Sequence, residues 1–163
     1  MSKQKPMEII HPPNTLKVKV GGSTEGPDMD AIKRAEEALA ELQGEMGGWL
    51  LEELDRLHAA QAAFASDPSS TETKAGLYSV AHDLKGLGAT YGFPLVGRIS
   101  GSLCILISGH GGNNPIPGSL VDAHINAIKV IVRDEVKEAD DAIGSALASE
   151  LEVQVTSALA AIN

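Results

Sequence analysis

The sequence predicts an all-α protein, a bundle of packed helices, and three observations carry that expectation. From Asp28 onward, apolar residues recur every three or four positions, the spacing that lines one face of a helix. The breaks between those runs hold Gly, Pro and cap-forming Ser or Asp, and no stretch alternates long enough to make a convincing strand. Apolar residues make up 43% of the 163 positions but aromatic residues only 3%. The core must therefore be built from Leu, Ile, Val and Ala, which suits helix on helix. A chain of this length forms one domain and buries a core without disulfides or metals.

Residues 1–27 hold Pro6, Pro12, Pro13, Pro27, Gly21, Gly22 and Gly26, and only Leu16, Val18 and Val20 alternate. That is too little for a sheet and reads as a flexible arm. Asp28 caps a first helix to about Gln43, which Gly44, Gly47 and Gly48 interrupt. A second helix runs from about Trp49 to Ala65, with Leu50, Leu54, Leu57 and Phe64 on its apolar side, and ends at Asp67 and Pro68. Ser69-x-x-Glu72 has the spacing of a capping box for a third helix, which Gly92 closes. Pro94 suits the first turn of the next, to about Ser108. GHGGNNPIPG, residues 109–118, is a loop by composition. Ser119-x-x-Asp122 resembles the cap of a long helix with Val121, Ile125, Ile128, Val132 and Val136 on one face. Gly144 is a candidate break, and Ile143, Leu147, Leu151, Val155 and Leu159 continue a stripe that is either an extra covering helix or a dimer contact. No internal repeat is visible.

Charge and motif content narrow the function. The net charge is −9, and residues 28–163 hold nine Lys/Arg against twenty Asp/Glu, a net of −11. Such a body repels a phosphate backbone, so nucleic acid is not an expected partner. MSKQKPMEII lacks the apolar run of a signal peptide, and LCILI, 103–107, is too short to span a bilayer. The single Cys104 excludes an intramolecular disulfide, fits a reducing, cytoplasmic setting, and is expected to be buried and inert. His11, His58, His110 and His124 have no second His or Cys at three or four residues, so no metal site is expected. His58 lies three residues from Asp55, the spacing of a surface hydrogen bond. No nucleotide-binding loop of the G-x-x-x-x-G-K-[ST] or G-x-G-x-x-G type is present.

One segment departs from the pattern. AHDLKGLGATYG, residues 81–92, puts Gly86, Gly88 and Gly92 in or beside a helix, although an internal glycine costs about 1 kcal/mol relative to alanine. On a helical wheel at about 100° per residue, Leu77, Ala81, Leu84, Gly88 and Tyr91 form the core stripe. His82 lies about 140° away, with the small residues Ala75, Ser79, Gly86 and Ala89 around it and Tyr78 and Lys85 at its flanks. A solvated face ordinarily collects Glu, Lys, Gln and Arg. Gly88 is expected to admit a neighbouring helix, Gly92 to stop this one, and Gly86 to clear space for another protein. An imidazole so displayed is a competent nucleophile near pH 7, and Lys85 offsets charge on an incoming phosphoryl group. With no nucleotide loop in the chain, that group must come from a partner.

His82-Asp83-Leu84-Lys85-Gly86, followed by Gly92 and Leu95, resembles the H-x-L-K-G-x(5)-G-x-x-L signature of histidine-containing phosphotransfer (HPt) domains. The resemblance implies an antiparallel, up-down four-helix bundle over residues 28–144, flanked by the arm at 1–27 and a helical extension at 145–163. It implies that His82 takes a phosphoryl group from a receiver-domain aspartyl phosphate and passes it to a second receiver aspartate. Lys85 stabilises the phosphoryl group, and Gly86, Ser79, Ala89, Tyr78, Ala75 and Arg98 form the docking face. The implied partners are response-regulator receiver domains and a hybrid sensor histidine kinase. The protein itself is then a monomeric phosphocarrier without kinase activity and without a cofactor of its own, Mg2+ being held by the receiver. KGLGATYGF also looks like the phosphotransfer domain of chemotaxis-type kinases, where a glutamate on the following helix orients the histidine. PLVGRISGSLCILISG, residues 94–109, has no carboxylate, which argues against that version and leaves His82 without an obvious partner. The alternatives are a helical adaptor that binds receivers unphosphorylated and a small metal-dependent enzyme.

Overall fold

Among the described residues, the periodicity that begins at Asp28 becomes five helices. The structure, a computed structural model, describes residues 28–110 and 114–162, without the side chains of 40, 41 and 43–46. The arm expected over 1–27 and the middle of the 109–118 loop lie outside the described residues. The helices are α1 (Met29–Ser66), α2 (Thr71–Leu87), α3 (Pro94–Gly109), α4 (Gly118–Arg133) and α5 (Ala142–Ala160). Among the described residues there is no strand, and no helix is long and apolar enough to cross a membrane.

The chain divides into two units, residues 1–40 and 41–163. In the first, the described part is the opening of α1, where the Asp28 carboxylate accepts from the Asp30 and Ala31 amides and Met29, Ile32 and Leu39 are exposed. The core belongs to the second. There α2 packs on α3, α3 on α4 and α5, and α4 on α5. Leu57, Leu77, Leu84, Ile99, Leu103, Leu106, Ile125 and Ile128 are fully buried at its centre. Each such side chain contributes about 1.5–3 kcal/mol relative to exposure. The latter part of α1 is tied to α4 by Gln61, whose amide donates to Asp122 at 2.6 Å.

Four sequence expectations need correction. Helix α1 runs unbroken through Gly44, Gly47 and Gly48 instead of splitting into two. Glycine weakens a helix but keeps its N–H, and a stop needs a left-handed residue or a proline, which this stretch lacks. The cap of α2 is Ser70, not Ser69: its hydroxyl accepts from the Glu72 and Thr73 amides, while the Ser69 hydroxyl donates to Asp67. Ser119 does not cap α4, whose N-cap is Pro117 with no side-chain bond. Gly144 breaks nothing. It lies in the first turn of α5, donating to the Asp141 cap at 2.7 Å, and a Cβ there would stand 2.6 Å from Leu95 Cδ1. The boundary placed at 144/145 thus falls inside a helix that starts at Ala142 and packs along α3 and α4.

The core also holds a polar pair. His124 is fully buried, with Nδ1 2.7 Å from the Leu120 carbonyl and Nε2 3.0 Å from Ser102 Oγ. A carbonyl only accepts, so Nδ1 carries the proton and Nε2 accepts from Ser102. Burial pushes this imidazole below its ordinary pKa, with the Leu120 bond acting the other way.

Candidate functional site

The site is built on α2 and its crossing with α3. Ser70 and the first-turn Glu72 start α2, and Leu77, Val80, Ala81 and Leu84 are its buried face. The helix passes into a turn after Leu87. Gly92 sits there at φ +81°, a conformation that favours glycine, and the Phe93 amide donates back to the Gly88 carbonyl at 2.8 Å. Pro94 then opens α3. The two helices meet at a pair of glycines: a Cβ on Gly88 would stand 2.5 Å from Gly97 N and 2.8 Å from its Cα. Gly88 therefore acts as the sequence suggests, admitting the next helix.

The outer face of α2 matches the wheel. His82 is exposed, and so are Ala75, Ser79, Gly86 and Ala89 around it. No heavy atom lies within 4 Å of the place where a Gly86 Cβ would stand, so packing does not require this glycine. Tyr78, one turn before His82, is 37% exposed and stacks on the imidazole, with ring centroids 6.0 Å apart and planes 27° from parallel. Neither ring nitrogen of His82 has a hydrogen-bond partner among the described residues.

Lys85 is exposed, and its aliphatic stem lies over α3 at Gly101: Cγ, Cδ and Cε are 3.7–3.8 Å from where a Gly101 Cβ would be. The ammonium makes no ion pair among the described residues. Cys104 is buried on the same stretch of α3. Burial pushes its thiol up in pKa, and nearby Lys85 acts in the opposite sense. Asp83 faces α1, 3.7 Å from Arg56, which also bonds Glu53 at 2.7 Å. Exposed pairs of this kind are worth about 0–1 kcal/mol.

Arg98 is not part of this group of contacts. Its guanidinium grips both oxygens of Glu152 at 2.8 and 2.7 Å and bonds Ser149 at 3.0 Å and Ser145 at 3.3 Å, all on α5. The bond to Glu152 raises the arginine pKa and lowers that of the carboxylate. A planar fork is best matched by a bidentate carboxylate, and α5 supplies one. No local pattern around Arg98 points to Glu152, which is 54 residues away. Gly97 and Gly101 were also missed. Their spacing of four, beside Gly88, was a readable signal.

The other described histidines are occupied differently. His110 is buried and donates from Nδ1 to the Leu106 carbonyl at 2.8 Å. His58 does not bond Asp55. Its Nε2 is buried without a partner among the described residues, and burial, then Lys129, lowers its pKa against the pull of Asp55. Among the described residues, no three His, Cys, Asp or Glu side chains come together as a metal set. No protein-family model, curated protein or solved structure matches the chain.

Proposed function

We propose that this chain is a histidine-containing phosphotransfer protein, a phosphorelay intermediate that carries a phosphoryl group on His82. The observation that carries the reading is an exposed imidazole with both nitrogens unbonded among the described residues, on a helix face of small side chains, with Lys85 on the next turn. In this reading α1 to α4 form an antiparallel, up-down four-helix bundle and α5 is an added C-terminal helix. The partners are response-regulator receiver domains and a hybrid sensor histidine kinase. The protein works in the cytoplasm as a monomer, away from nucleic acid and membrane, and Mg2+ is held by the receiver's acidic pocket.

The chemistry is a reversible displacement at phosphorus. A lone pair on one imidazole nitrogen attacks the phosphorus of a receiver aspartyl phosphate. The P–O bond to the aspartate breaks, and the carboxylate leaves with that electron pair. The second nitrogen keeps its proton, so the ring becomes a phosphoryl-imidazolium. Lys85 offsets the phosphoryl charge, and attack by a second receiver's carboxylate returns His82 to neutral imidazole. Mixing the protein with a phosphorylated receiver tests this directly. Label should move to the protein in an acid-labile, base-stable form and be lost in His82→Gln. Label that persists in that variant, or that survives acid, overturns the reading.

A further inference from the structure

We infer that Tyr78 is a positioning residue for His82, backing the imidazole from the N-terminal side so that a phosphoryl donor enters from the Gly86 side. This rests on the reading of His82 as the phosphoryl acceptor. Helical side chains lean toward the N-terminus, so the ring of residue 82 falls back over the turn that carries residue 78. There it meets the Tyr78 ring at 6.0 Å and 27°, within the range of stacked aromatic pairs. The same lean means that a side chain at position 86 would fall over His82 from the other side. Gly86 has none, and the space where its Cβ would stand is empty to 4 Å.

Among the described residues no hydrogen bond or ion pair orients the ring. Its nitrogens have no hydrogen-bond partner among the described residues, and α3 carries no carboxylate. Face-on stacking restrains the plane of the imidazole while leaving both nitrogens, at the ring edge, uncovered. The tyrosine also favours a ring that gains positive charge, because its face is electron-rich. The phosphoryl-imidazolium is therefore held more firmly than the neutral ring.

The experiment compares Tyr78→Phe, which keeps a ring, with Tyr78→Leu, which keeps bulk and helix propensity. Phosphoramidate serves as a donor needing no protein partner. Transfer to Tyr78→Phe should match the parent within about twofold, and transfer to Tyr78→Leu should fall about two- to fivefold, the size of an exposed cation–aromatic contact. In parallel, the His82 ring-proton resonances should lose their ring-current shift in Tyr78→Leu and keep it in Tyr78→Phe. Unaltered His82 resonances in Tyr78→Leu overturn the contact, and unaltered transfer overturns its use. A parent protein that takes no phosphoryl group from phosphoramidate or from receivers overturns the acceptor reading and with it the positioning role. The resonances would then report the stack alone.

Discussion

His82 and His124 are the same side chain in two opposite settings. His124 is sealed between α3 and α4, with both nitrogens bonded, one to Leu120 and one to Ser102. His82 stands on the outside of α2 with neither nitrogen bonded among the described residues and one ring against it. The first imidazole is tied into the fold. The second is held in orientation but left chemically free. The glycines nearby divide the same way, Gly88 filled by its neighbour Gly97 and Gly86 facing open space. Within one helical bundle, hydrogen-bond occupancy and free volume separate a structural residue from a candidate reactive one, and residue type does not.

The comparison breaks most visibly if the two histidines tolerate replacement alike. His124→Ala should cost about 2–4 kcal/mol, combining a buried cavity with an unpaired Ser102 hydroxyl, whereas His82→Gln should stay within about 0.5 kcal/mol of the parent. Urea unfolding midpoints measure both. The glycines give the next largest difference. Gly88→Ala should destabilise by about 1–3 kcal/mol, because the new methyl would collide with the Gly97 backbone. Gly86→Ala should add up to about 1 kcal/mol, and Gly86→Leu should fold normally yet impede phosphoryl transfer. A Gly86→Leu protein that fails to fold would make Gly86 a packing residue.

Acid should sharpen the contrast further. Burial lowers the His124 pKa in the folded state, so unfolding takes up a proton there. The stability contributed by a neutral His124 is complete above the unfolded value, near 6.5, and declines as pH falls below it. The expected observation is a drop in stability between pH 7.5 and 5.5 that is smaller in His124→Gln. An equal drop in both proteins would assign the effect to other groups. The smallest effect is expected at the end of α4, where Glu135 holds φ at 51° and the Val136 amide bonds back to the Ile131 carbonyl at 2.9 Å. Glycine suits that position, so Glu135→Gly should gain up to about 1 kcal/mol, read as a raised melting temperature.

Much of this contrast was legible in the sequence. The period of 3.6 gave the all-α class, and the wheel separated Leu77, Ala81, Leu84 and Gly88 from His82, Gly86 and Ala89 as the structure does. Local chemistry also marked Pro94 as the start of α3, whereas α2 ends at Leu87, five residues before the Gly92 expected to close it. What escaped depends on distant partners or on competition among neighbours. Ser69 and Ser70 both match a cap, and Asp67 decides between them by accepting the Ser69 hydroxyl. The glycines at 44, 47 and 48 look like a stop, but α1 is carried past them. Arg98 looks available to a ligand until α5 brings Glu152, Ser149 and Ser145 against it. The Tyr78 contact needed only a spacing of four, yet its consequence depends on α3 offering no carboxylate.

The most direct measurement of the central claim is the location of the phosphoryl group. The intact protein is exposed to a phosphorylated receiver domain, digested under neutral to basic conditions and read by tandem mass spectrometry. The account predicts a phosphoryl group on His82 and none on His58, His110 or His124. A phosphoryl group on any other residue, with His82 unmodified, would contradict it.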